Sequence, residues 1–158
     1  MMHQQKITFG LVLLMMLSGC VPQTEPGQGV EVGFSKFGTL DRTETGFLME
    51  GNVTIGGGGS RLDAYDNVTV HLYSGDGTRL LSRSVGTLNG SLYVSLQTKN
   101  QPHYVIVDSP DFWLEPRITV RYYVWSSEHG KYGVEDATTT DDFPVEVPTN
   151  ESQADSAK

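Results

Sequence analysis

From residue 30 to residue 147 apolar and polar positions alternate along the chain, and no stretch carries the 3.6-residue stripe of an amphipathic helix. The pattern is clearest between Asn67 and Val85, where Val68, Val70 and Leu72 interleave with Thr69, His71 and Tyr73. That spacing predicts a half-buried strand. Ser74-Gly75-Asp76-Gly77 then supplies the residues a tight turn needs, and Leu80 to Val85 forms the returning strand. Upstream, Val30, Val32 and Phe34 open a first strand, and Phe47 to Ile55 makes a second whose Gly51 predicts a bulge. Downstream, Asn89-Gly90 turns the chain into Leu92, Val94 and Leu96. His103 to Val107 is a short strand stopped by Ser109-Pro110. Ile118 to Trp125 is the longest β-prone run, with Tyr132 and Val134 pairing back across Ser126 to Gly130. Phe143, Val145 and Val147 alternate as a last strand.

Short strands at this spacing, separated by turn residues and without helical segments, predict an all-β fold. The expected architecture is a single antiparallel immunoglobulin-like β-sandwich of eight or nine short strands, with a small barrel as the alternative. The sandwich spans residues 30–147. Residues 148–158 are polar and read as a disordered tail, and residues 21–29 (VPQTEPGQG) have the composition of a flexible spacer.

The beginning of the chain breaks the alternation. After a polar start with Lys6, residues Ile7 to Leu17 are apolar apart from Thr8 and Gly10. Eleven residues span roughly 16 Å as a helix, short of the roughly 30 Å of a bilayer core, so the run is too short for a permanent span. A charged start, a short apolar centre and small residues after it are the layout of an export signal. The run ends in Leu17-Ser18-Gly19-Cys20, which resembles the lipobox of prokaryotic lipoprotein signal peptides. The resemblance implies a leader over residues 1–19, a diacylglyceryl group on Cys20, and a mature chain held by lipid on the extracytoplasmic face of the cell membrane. Two hydrocarbon chains give stable anchoring where one gives marginal attachment. Cys20 is the only cysteine, so no disulfide forms within the chain and the domain relies on its core. A free redox thiol is the rival role for Cys20.

The chain carries 19 acidic and 11 basic residues, a formal charge of −8. That balance excludes nucleic acid as an expected partner, because phosphate binding needs clustered Lys and Arg. It suits solubility, or adaptation to high salt. Gly51-Asn52-Val53 through Asn67-Val68-Thr69-Val70-His71-Leu72-Tyr73 to Asp76-Gly77-Thr78 resembles FxLYD and CARDB-type sandwich modules. Ser74-Gly75 stands where the first family has Asp directly after Tyr, and Asn89-Gly90 where Pro-Gly usually precedes the next strand. As a whole the chain is similar to small lipoproteins of salt-loving archaea. Both resemblances imply binding or spacing roles and carry no catalytic site.

The chemistry-bearing residues point the same way. There is no G-x-S-x-G elbow and no H-E-x-x-H motif, and His71, His103 and His129 lack ligand spacing. Asp63/Asp66, Asp108/Asp111, Glu135/Asp136 and Asp141/Asp142 read as solvated turns without the closing Glu of a calcium loop. No enzyme, cofactor or metal is expected. Trp113, between Pro110 and Pro116, and Tyr123, on the aromatic strand, are the candidates for a ligand platform, since exposed rings stack on sugars or dock a partner. Asn52, Asn67, Asn89 and Asn150 stand in N-x-S/T sequons, of which Asn89 and Asn150 are the expected acceptors if the host glycosylates exported chains. The expected function is a lipid-anchored envelope module that binds a protein or glycan. The alternative is a structural or accessory subunit of an envelope or transport complex, with an enzyme a distant third.

Overall fold

The computed structural model of the chain describes residues 29–148, with the backbone alone for residues 36–40. The leader, Cys20, the spacer up to residue 28, Asn150 and the tail from residue 149 lie outside the described residues. Eight strands follow one another: β1 Val30–Thr43, β2 Gly46–Gly57, β3 Tyr65–Tyr73, β4 Arg79–Leu88, β5 Ser91–Thr98, β6 Tyr104–Asp108, β7 Ile118–Ser126 and β8 Lys131–Ala137. Two short 3₁₀ turns, Phe112–Leu114 and Thr140–Asp142, complete the set, and there is no α-helix among the described residues. The all-β expectation holds.

The strands form one mixed sheet in the order β4-β3-β6-β7-β1-β2-β5, curled into a half-barrel, with β8 added to β7. Its two wings, β1-β2-β5 and β4-β3-β6-β7, follow the strand order of an immunoglobulin-type Greek key. One feature departs from the expected antiparallel sandwich. Val30–Val32 pair in parallel with Ile118–Val120, so a parallel ladder joins the wings into a continuous sheet. β8 continues along that same edge of β7, from Val120 to Ser126.

Alternation explains why these segments are strands. In β2 the residues Met49, Gly51 and Val53 are buried, and in β5 Val94 and Leu96 oppose Gly51 and Met49. The predicted bulge is present on the partner strand rather than at Gly51. β1 slips register between Phe34 and Lys36 and between Phe37 and Leu40, on either side of the pairs with Asn52 and Gly51. Gly33 is required by close approach, because a Cβ there would meet Arg121 Cβ at 2.8 Å and the Tyr123 hydroxyl at 3.3 Å.

β3 is buried on both faces. Val70 and Leu72 pair with Val107 and Val105 on one face, which extends through Tyr123 to β1. His71 and Tyr73 pair with Ile106 and Tyr104 on the other. Residues 143–147, predicted as a last strand, instead form an unpaired strap against this second face. Phe143 packs edge-on against Trp113 at 5.9 Å and Tyr122 at 5.8 Å, and Tyr73 Oη donates to the Glu146 carbonyl at 3.1 Å. Val145 reaches the β3–β4 turn beside Gly77. The strap therefore does for this face what a second sheet layer does for the other.

Candidate functional site

The region with the most specific side-chain chemistry lies between the end of β6 and the start of β7. Ser109-Pro110 stops β6, and Ser109 Oγ bridges the turn by donating to the Asp66 carbonyl at 2.7 Å and accepting from Asp111 N at 3.1 Å. The 3₁₀ turn that follows is pinned by Phe112, fully buried and edge-on to Tyr65 at 5.3 Å. With Phe112 fixed inward, Leu114 is turned outward. Leu114 is 66% exposed, one of the few large apolar side chains so presented among the described residues.

Trp113 is half-buried. Its indole N–H donates to Asp108 Oδ1 at 2.9 Å while its ring lies against Phe143. Burial pushes the Asp108 carboxyl above the usual carboxylate range, and the donors from Trp113 and Ser109 N only partly offset it. Tyr123 does not join Trp113. It is 2% exposed, its hydroxyl accepts from Phe34 N at 2.8 Å and donates to Phe34 O at 3.1 Å, and it projects from the opposite face of β7 to Tyr122. The expected Trp113–Tyr123 platform is thus not formed. Adjacent aromatic residues on a strand point to opposite faces, and Tyr122 is the one near Trp113, through Phe143.

Glu115 follows, only 4% exposed, and is clasped from the far side by the β2–β3 connection. Ser60 Oγ, Arg61 N, Leu62 N and the Tyr65 hydroxyl all donate to its Oε1, between 2.9 and 3.3 Å. Burial opposes ionisation of Glu115, but the donors outweigh it and hold its pKa below the ordinary value. Burial also raises the pKa of Tyr65. The clasp ties the glycine-rich loop to the floor of a cleft of about 400 Å³, lined by Gly29, Glu115 to Thr119 and Thr138. Leu114 is the exposed apolar residue directly preceding the cleft-lining segment, and Arg117 and two threonines lie along it. This arrangement suits binding through an apolar contact and polar rim groups. No signal in the sequence distinguished Leu114 or Glu115 from ordinary loop residues.

A second constellation lies under the strap. His71, 2% exposed, has Nδ1 2.8 Å from Ser82 Oγ and stacks on Tyr73. Burial, with Arg79 nearby, lowers its pKa to about 4, so the imidazole is neutral at pH 7.

The sequon asparagines Asn52, Asn67 and Asn89 are exposed, and Asn89 sits in the β4–β5 turn beside Gly90 at φ +76°. Among the described residues, no three or more His, Cys, Asp or Glu side chains are grouped to hold a metal ion, and no helix is long and apolar enough to cross a membrane. Comparisons with known protein families, curated proteins and solved structures find no match.

Proposed function

We propose that the protein is a lipid-anchored extracytoplasmic module of the cell envelope that binds a protein or glycan beside its Trp113–Thr119 segment. The observation that carries the anchor is Leu17-Ser18-Gly19-Cys20 at the close of the Ile7–Leu17 apolar run. The domain's geometry supports the rest of the reading. The described domain begins at Gly29, leaving the nine residues Cys20 to Gln28 as the tether. Fully extended they reach roughly 30 Å. Gly29, where the tether would enter the domain, is itself part of the cleft wall. A ligand in the cleft would therefore lie within a short distance of the bilayer, where envelope proteins and glycans are met.

Two measurements test the reading separately. Cys20→Ser should move the protein from the membrane to the soluble fraction, and membrane association that still requires detergent would overturn the anchor. Leu114→Asp, at an exposed position, should abolish capture of envelope proteins or glycans while leaving the folded state intact. Undiminished capture would remove the segment as the binding surface.

A further inference from the structure

The sheet ends at β4 on one side and β5 on the other. An open edge exposes unpaired backbone groups to any other strand, and soluble proteins usually blunt it with charge, proline or bulges. β4 is blunted. Arg79 and Arg83 lie along it, both exposed, Gly86 has φ +111°, and the register against β3 slips three times. β8 carries Lys131, Glu135 and Asp136.

β5 has none of these devices. Its sequence SLYVSLQT contains no charge, proline or glycine, and its register against β2 runs unbroken from Thr98 to Ser91. Its exposed side chains are drawn back toward β2 rather than across the open edge. Tyr93 Oη and Ser95 Oγ donate to Glu50 Oε1 at 2.7 and 3.2 Å, and Gln97 Nε2 donates to Thr45 Oγ1 at 3.0 Å. Tyr93 nevertheless remains 60% exposed.

We propose that β5 is a docking edge for a second copy of this chain, the two β5 strands pairing antiparallel about a two-fold axis at Val94 or Ser95. Three observations favour this occupant. Antiparallel pairing about either residue sets Val94 and Leu96 on the same face as their counterparts, and sets Tyr93 opposite Ser95 or Gln97, which covers part of the exposed ring. No like charges oppose one another, since Lys99 at the end of the strand meets Asn89 or Ser91. Two chains of formal charge −8 also repel over most approaches, and β5 itself carries no acidic residue. Glu50 on each β2 is held by donors from Tyr93 and Ser95 of its own copy, so its carboxylate is engaged within each chain. This inference does not depend on lipidation of Cys20.

The test uses the full chain with Cys20→Ser and one introduced cysteine, either Ser95→Cys on β5 or Ser84→Cys on β4. Mild oxidation should give a covalent dimer of the Ser95→Cys chain about tenfold faster than of the Ser84→Cys chain, because pairing about Ser95 sets the two thiols opposite each other and pairing about Val94 sets them on neighbouring diagonal positions, whereas Ser84 lies on β4, away from the paired edge. Sedimentation of the Cys20→Ser chain without an added cysteine should show a concentration-dependent dimer, and Ser95→Lys should weaken it at least about tenfold without altering the far-ultraviolet spectrum. Equal oxidation rates at the two positions, a monomer at every concentration, or cross-linking of position 95 to a chain of another mass would each overturn the proposal. Dimerisation of the Ser95→Cys chain only once residues 149–158 are removed would also overturn it, by showing that the tail occupies the edge.

Discussion

The two faces of β3 are buried by different means. Val70 and Leu72 look toward a partner wing of the same sheet, held by ladders that run through β1, β2 and β5. His71 and Tyr73 look toward a strap with no ladder of its own, held by Phe143, Val145 and one bond from Tyr73 to a strap carbonyl. One face is covered by sheet, the other by side chains on a segment without strand pairing. The comparison teaches that equal burial does not mean equal cooperativity. Removing a group from the wing-facing side is expected to disturb the whole cluster, whereas removing one from the strap is expected to leave the sheet standing.

Substitutions on each side should break or sharpen this contrast. The largest effect is expected from Leu72→Ala, about 3–4 kcal/mol in urea unfolding, because the surrounding wings cannot close over the cavity. Acid should reveal the other face. His71 is neutral in the fold with a pKa near 4 against an ordinary 6.5, so unfolded chains take up a proton that the folded chain refuses. Stability contributed by His71 is therefore fully present above pH 6.5 and is lost as pH falls toward 4, on the order of 3 kcal/mol in all. His71→Gln should flatten that part of the pH profile, and an unchanged slope would assign it elsewhere.

Phe143→Ala comes next, at about 2 kcal/mol, below the range for a rigid core because the strap relaxes. Hydrogen exchange should then quicken in β6 before it does in β2, whereas uniform quickening would contradict a separable strap. The smallest effect belongs to Trp113→Phe, about 1 kcal/mol. It keeps an aromatic ring near Phe143 but removes the donor to Asp108, whose pKa should rise further by carboxyl NMR titration.

The same contrast explains what could be read from the residues alone. Val68, Val70 and Leu72 announce a strand and its wing-facing side because their neighbours are polar. The other side stays hidden, since Thr69, His71 and Tyr73 look like a solvated face until something covers them. Phe143, Val145 and Val147 alternate as a strand would, and nothing local separates a laddered strand from a strap that merely sets down every second residue. The aromatic run in β7 is ambiguous for a related reason: with Tyr122, Tyr123 and Trp125 all large, alternation cannot tell which ring is inside. Asn89-Gly90 was legible because turn chemistry is local. The parallel pairing of Val30 with Ile118 was not, because it joins strands remote in sequence and leaves no periodic trace. The clasp on Glu115 depends on Ser60, fifty-five residues away, and is equally silent in the sequence.

The parallel ladder between β1 and β7 also has a mechanical meaning. A pull on the chain preceding Gly29 runs along β1, so the bonds joining Val30–Val32 to β7, and those joining β1 to β2, are loaded lengthwise together. Bonds loaded in shear share the force, while bonds at the end of a hairpin open one after another like a zip. The first strand is thus attached in the orientation that resists being drawn out by its own leading end.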